Sequence, residues 1–350
     1  MMRSLLKLFV LCGLAACADI EGDASGECID GADNDRDGEY DCNDPDCAGA
    51  PDCALDSADT GGDSGDDTGF DTDTLWKAVA AGGVNSCGVR ADDATVCWGD
   101  DSYGQSTPTD GTFVSLAGTF YHTCGLTAEG FVACWGCGDE DEGQCDVPAS
   151  LFASVSAGTH HTCAVGADSV AACWGCETDL GQCDAPAEEV LQVSAGSQHT
   201  CARLADGTLS CWGSDAFGQS SPAAGTYTDV SAGGYHSCAV ADSGAAVCWG
   251  CEGESSGVAT DHGQCTPAAF TFVKVAASIY HTCGIRTDGT LSCWGCEGED
   301  SGGSVNLDQC SPPAGVYTQL AVGKWHGCAL RDDGAIRCWG SDYFGQTSPP

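Results

Sequence analysis

Basic residues are what this 350-residue chain has least of: four lysines and seven arginines stand against 52 acidic residues, for a formal charge of −41. The eleven are scattered, with no cluster anywhere. A surface that binds DNA or RNA neutralises phosphates with cations, so nucleic acid is excluded as a partner. Long apolar runs are missing too. The longest, Leu8 to Ala16, falls well short of the roughly twenty residues that span a bilayer. Nor is there a nucleophile elbow, a phosphate-cradling glycine loop or a zincin helix. Such acidity suits a soluble, self-repelling exterior, and it allows a cationic partner or a divalent metal.

Cysteine, by contrast, is abundant. A count of 28 lies far above ordinary usage and implies an oxidising compartment. The first residues agree with that: Arg3 and Lys7 precede the short apolar run, in the manner of a secretory leader. The run ends in Leu14-Ala15-Ala16-Cys17, which resembles the lipobox of bacterial lipoproteins. The resemblance implies cleavage before Cys17, lipidation of its sulfur and a membrane anchor there. It places the chain in the bacterial cell envelope, at the outer membrane or cell surface, with simple secretion as the alternative.

After the leader (1–17) comes an acidic spacer (18–27), then a Cys- and Asp-rich segment (28–53) holding Cys28, Cys42, Cys47 and Cys53. Within it Asp33, Asp35, Asp37, Glu39, Asp41 and Asp44 fall at positions 1, 3, 5, 7, 9 and 12 of a loop, with Gly38 at position 6. Alternate carboxylates around a glycine turn match a calcium loop, and hard oxygen ligands suit calcium. The segment resembles an Asp-rich metal-binding motif of secreted proteins of gliding bacteria. Asp44 replaces the usual glutamate at position 12, and no apolar helix flanks the loop, so a paired-helix sensor is excluded. An acidic, disulfide-pinned knot without metal is the alternative. Residues 54–74 are nearly all Asp, Thr, Gly and Ser, too polar to fold, and read as a flexible, charge-extended linker.

From residue 75 onwards the chain repeats itself. The frame is Ala-Gly-x-x-His-(Thr/Ser)-Cys, an apolar pair, an acidic turn, Cys-Trp-Gly and Gly-Gln; Ala195 to Gln219 is a full example. Seven copies begin their cysteine pairs at Cys87, Cys124, Cys163, Cys201, Cys238, Cys283 and Cys328, at intervals of 37 to 45 residues. A fixed period of alternating segments and glycine turns points to an all-β solenoid or propeller. Each copy reads as three strands, with a three-residue hairpin loop between the second and third. That loop has glycine at its third position except for Asp93 and Ser169, which must tolerate strain or use another turn.

The cysteines follow the hairpin. The pairs Cys87/Cys97, Cys124/Cys134, Cys163/Cys173, Cys201/Cys211, Cys238/Cys248, Cys283/Cys293 and Cys328/Cys338 are each ten apart, which sets them opposite one another and predicts a disulfide. Four more pairs, Cys137/Cys145, Cys176/Cys183, Cys251/Cys265 and Cys296/Cys310, are present or absent together, as expected of partners that cinch the loop after Trp-Gly. Zinc binding by four cysteines of one repeat, or CxxC redox chemistry, is the alternative. Either leaves the three repeats with a single pair unexplained.

At these motifs residues 75–350 resemble the regulator of chromosome condensation repeat family. The resemblance implies a seven-bladed β-propeller of four-stranded blades. In such a ring Leu75–Ala80 is expected to complete the blade made by the last repeat. Guanine-nucleotide exchange, the namesake's activity, does not suit an acidic, cysteine-rich, exported chain. Secreted bacterial relatives that bind β-lactamases show the fold used as a protein-binding disc.

His122, His161, His199, His236, His281 and His326 share one position, with Asn85 in the first copy. They are expected to hydrogen-bond backbone within their own blades; a ring of imidazoles around metal is the alternative. The tryptophans of Cys-Trp-Gly should pack between blades, Trp76 in the opening strand and Trp325 on a binding face. The expectation is a monomeric, non-catalytic, lipid-anchored propeller that binds a protein through its variable loops, notably 251–265 and 296–310. A calcium-dependent adhesin, or a polysaccharide hydrolase or lyase with carboxylates at one mouth of the channel, is the alternative.

Overall fold

The computed structural model describes residues 75–350 apart from 177–179, 252–253, 256–257, 260–261, 297–298, 301–302 and 305–306. The leader, the Asp-rich segment with its expected calcium ligands, and the linker lie outside the described residues. Seven antiparallel three-stranded sheets follow one another along the chain, each a simple meander. In the first, the inner strand is Trp76–Ala81, the middle strand Asn85–Arg90 and the outer strand Thr95–Gly99. The last is Tyr317–Val322, His326–Arg331 and Ile336–Gly340. Inner strands from all seven sheets line a single central channel. The fold is a seven-bladed β-propeller.

Each inner strand has a register shift near its start, which interrupts simple alternation. In the inner strand Phe272–Ala277, Phe272 and Val275 are buried while Val273 and Lys274 are exposed. Four inner strands open on an aromatic residue that packs against the outer-strand tryptophan of the same blade: Trp76 on Trp98, Phe113 on Trp135, Phe152 on Trp174 and Phe272 on Trp294. Middle strands are buried almost throughout, because blades cover them on both faces. The core is therefore a set of small clusters between neighbouring blades rather than one central mass.

The hairpin register sets each middle-strand cysteine opposite its outer-strand partner, as Cys201 is set opposite Cys211. All seven pairs are disulfide-bonded, with Cα atoms 4.0 to 4.1 Å apart: Cys87–Cys97, Cys124–Cys134, Cys163–Cys173, Cys201–Cys211, Cys238–Cys248, Cys283–Cys293 and Cys328–Cys338. The two ends of each bond sit in unlike surroundings. Cys87, Cys124, Cys163, Cys201, Cys238, Cys283 and Cys328 are buried between blades. Their partners Cys97, Cys134, Cys173, Cys211, Cys248, Cys293 and Cys338 are only partly covered, because the outer strand is the rim of the disc. Cys137–Cys145, Cys176–Cys183, Cys251–Cys265 and Cys296–Cys310 are bonded as well. So many disulfides mark an extracellular or secreted protein. At the hairpin loops Asp93 and Ser169 take the left-handed conformation that glycine adopts elsewhere, with φ of 73° and 65°.

Two expectations need correction. The blades have three regular strands, not four. The stretch from Trp-Gly to the next inner strand turns through left-handed residues, such as Gly99 and Gly104, and is held by side chains instead of a ladder. The opening strand Trp76–Ala81 pairs with Asn85–Arg90 of its own blade and does not complete the last one. The last repeat supplies its own inner strand, Tyr317–Val322, so that place is already taken.

Candidate functional site

The meander gives the disc two unlike ends. Inner strands run into Ala-Gly-x-x-His at one end, the mouth; the acidic hairpin turns lie at the other. The seven connections at the mouth, such as Ala81–Gly83, Ala195–Ser197 and Val322–Lys324, ring the channel entrance. Loops leaving the outer strands begin directly beside them: the N–H groups of Asp100, Cys137, Ser214, Cys251 and Ser341 donate to the carbonyls of Val84, Tyr121, Gln198, Tyr235 and Trp325.

The cysteines expected to be structural take no part in any site. All 22 from Cys87 to Cys338 are consumed by the eleven disulfides, so neither a zinc tetrad nor a CxxC dithiol is left to them.

The histidines lie beneath the mouth surface, fully buried, and do not line the channel. Their bonds run between blades, not to backbone within their own. His122, His161, His199, His236 and His326 meet, through Nε2, the hydroxyls of Thr162, Thr200, Ser237, Thr282 and Ser86 of the next blade, at 2.7 to 2.9 Å. The hydroxyl donates its own proton to the carbonyl of a Gly-Gln glutamine, as Thr200 does to Gln182. The histidine must therefore donate, which fixes a neutral ring protonated on Nε2. The same carbonyl also accepts the Nε1–H of the blade's tryptophan, as Gln182 accepts from Trp212. One carbonyl thus gathers two donors and stitches two blades together. Burial pushes these imidazoles down, His122 to about 3 and His199 to about 4, which suits a neutral structural group.

Two junctions depart from the pattern. Asn85 replaces the histidine of the first copy, and its side-chain amide reaches the Gln105 carbonyl at 3.4 Å. Between the sixth and seventh blades, Gly327 replaces the hydroxyl residue, and neither ring nitrogen of His281 is hydrogen-bonded. A side chain cannot be restored at Gly327 without displacing the Trp339 ring, which would lie 2.4 Å from the new Cβ.

What varies around the mouth is the residue before each histidine position: Val84, Tyr121, His160, Gln198, Tyr235, Tyr280 and Trp325. In the last three blades these are aromatic and meet. Trp325 stacks on Tyr280 at 4.8 Å and 19°, and Tyr280 lies 6.5 Å from Tyr235, which packs edge-on against Phe217. Lys324 lies over the rings of Trp325, Phe120 and Tyr280 at 5.2, 5.7 and 5.9 Å. On the second blade Tyr121 packs against Tyr103 and His160, and burial together with the Glu140 carboxylate raises its phenol pKa. Of the mouth aromatics, sequence reasoning singles out Trp325 alone. Its neighbours are hidden because they occupy a repeat position filled by unlike residues.

No carboxylate is found among the described residues lining either end of the channel. No metal-binding cluster of histidine, cysteine and acidic residues occurs among the described residues. No described helix is long and apolar enough to cross a membrane.

The regulator of chromosome condensation (RCC1) repeat model matches residues 190–219, 227–256, 272–300 and 317–346, four of the seven copies. Those four copies are similar to the RCC1 repeat. Among solved structures, the propeller is similar to the CRINKLY WD40 ectodomain of the Arabidopsis thaliana receptor kinase ACR4. Identity is 25%, the TM-score 0.58, and the match covers 77% of this chain and 99% of that one. The ectodomain of the Physcomitrella patens receptor kinase CR4 is 24% identical, with a TM-score of 0.57 over 77% of this chain and 74% of that one. Prp20p of Saccharomyces cerevisiae, described with its binding to Gsp1p and histones, shares the fold at 15% identity. Its TM-score is 0.57, over 80% of this chain and 85% of that one. No curated protein sequence matches.

Proposed function

We propose that the RCC1-type propeller is a non-catalytic docking disc that holds a protein partner at its mouth face. The observation that carries this is the sector of blades five to seven, where Tyr235, Tyr280 and Trp325 form one half-buried aromatic run. Repetition for stability alone gives no reason for those three rings to differ from the Val84 and Gln198 of other blades. The two longest inter-blade loops, 251–265 and 296–310, follow the fifth and sixth blades, and the first of them begins where the Cys251 N–H donates to the Tyr235 carbonyl. Aromatic anchors flanked by variable loops on a rigid support are the usual makings of a protein interface.

In this reading Cys17 carries a lipid anchor in the bacterial envelope, and the loop from Asp33 to Asp44 is a calcium site on the tether. The polysaccharide-cleaving alternative is not favoured, since its acid and base have no counterpart in the channel lining described above.

Affinity capture with the full chain from envelope proteins of its own source tests the reading. Tyr280→Leu with Trp325→Leu should abolish capture, while Phe131→Ser, at an exposed position on the turn end, should leave it intact. Equal capture by wild type and both variants would overturn the mouth as the docking face.

A further inference from the structure

Charge is divided unevenly between the two ends of the disc. Residues 75–350 contain eight basic side chains. Seven belong to the turn end: four arginines at or next to the ends of middle strands, Lys77 and Lys274 near the starts of inner strands, and Arg337 in an outer strand. Several pair there with turn aspartates, as Lys77 does with Asp93, Arg286 with Asp288 and Arg331 with Asp333. Only Lys324 stands at the mouth, and its ammonium lies over three aromatic rings.

The loops at the same end carry the opposite sign. Asp101, Asp141, Asp215, Asp308 and Asp342 are exposed on segments that leave the outer strands at the mouth end. A ring face is the negative pole of an aromatic quadrupole, so rings and carboxylates attract the same kind of group. An acidic partner would meet repulsion from the loops and gain nothing from the rings. The chain's own Lys324 demonstrates that these faces take an ammonium at cation–π distance.

We propose that the mouth recognises a lysine- and arginine-rich segment of a protein partner. Its cationic side chains lie over Tyr235, Tyr280 and Trp325 and its remaining charges face the acidic loops. This rests on the mouth being the docking face and adds the chemistry of the occupant.

The test uses the full chain and two synthetic probes of equal length, an arginine- and lysine-rich peptide and a glutamate-rich peptide, followed by tryptophan emission and calorimetry. The acidic residues before position 75 attract basic peptides alike in every variant through their charge, so the informative quantity is the difference between chains. Tyr280→Leu should weaken the basic peptide about tenfold, and Tyr280→Phe, which keeps the ring, should restore it. Raising salt should weaken the wild-type complex, and the glutamate peptide should not bind. Near-ultraviolet circular dichroism confirms that each variant is folded. Equal affinity in the leucine variant, or binding of the glutamate peptide, overturns the proposal. If mouth variants lose a captured partner that proves acidic, the docking face stands and the cationic occupant falls.

Discussion

Each of the six buried histidines, the five that stitch blades and His281 that does not, is neutral in the folded protein because a charged imidazole would be stranded between two blades. Burial holds His122, His161, His236 and His281 at about 3, and His199 and His326 at about 4, against an ordinary 6.5. In the unfolded chain all six take up protons as the pH falls through about 6.5. The folded chain does not follow until about 3 to 4. Stability is therefore complete above 6.5 and is lost between that value and about 4, at about 1.4 kcal/mol per pH unit for each histidine. Urea melts at pH 7, 6 and 5 should show midpoints that drop steeply; unchanged midpoints would contradict this. The sequence makes the histidines conspicuous but hides their partners. Side chains of adjacent strand residues point to opposite faces. His199 and Thr200, read as one motif, thus serve different junctions, and the hydroxyl that each histidine meets lies 38 to 46 residues further on, or 240 residues back for His326.

The loops after Trp-Gly show one architectural problem solved twice. In the first, fourth and seventh blades an aspartate clamps two later residues: Asp101 holds Ser106 and Thr107, Asp215 holds Ser220 and Ser221, and Asp342 holds Thr347 and Ser348. In the other four, the residue after Gly-Gln, or after Asp308-Gln309 in the sixth blade, is a cysteine bonded back to the residue after Trp-Gly. That exchange explains why those cysteines come and go as pairs. Asp215→Ala should raise amide exchange at Ser220 and Ser221 by about tenfold while leaving the hairpin strand Leu209–Gly213 protected, since a net hydrogen bond of about 1 kcal/mol each is removed. Exchange spread evenly over the blade would argue against a local clamp. Hairpin pairing was legible from the ten-residue spacing, which carries Cys87 to Cys97 and Cys328 to Cys338 alike. The missing fourth strand was not, because Gly-Gln looks like the end of a turn until its left-handed backbone and its shared carbonyl are seen.

At the scale of the whole ring, closure depends on the last few residues. Gln346 presents its carbonyl to Trp98 Nε1 at 2.8 Å and to Ser86 Oγ at 2.9 Å, the same pair of bonds that Gln182 makes to Trp212 and Thr200. Gln319 adds bridges from the seventh inner strand to the backbone of Lys77 and Val79. Removing residues 346–350 should lower stability by about 2–4 kcal/mol, since two buried donors lose their acceptor. Denaturant titration against the full chain would reveal it; an unaltered midpoint would mean the ring closes by packing alone.

The junction that no peptide bond crosses is thus bonded like those that the chain does cross. The circle has no privileged seam, and the seven blades would recognise their neighbours in any rotation of the order.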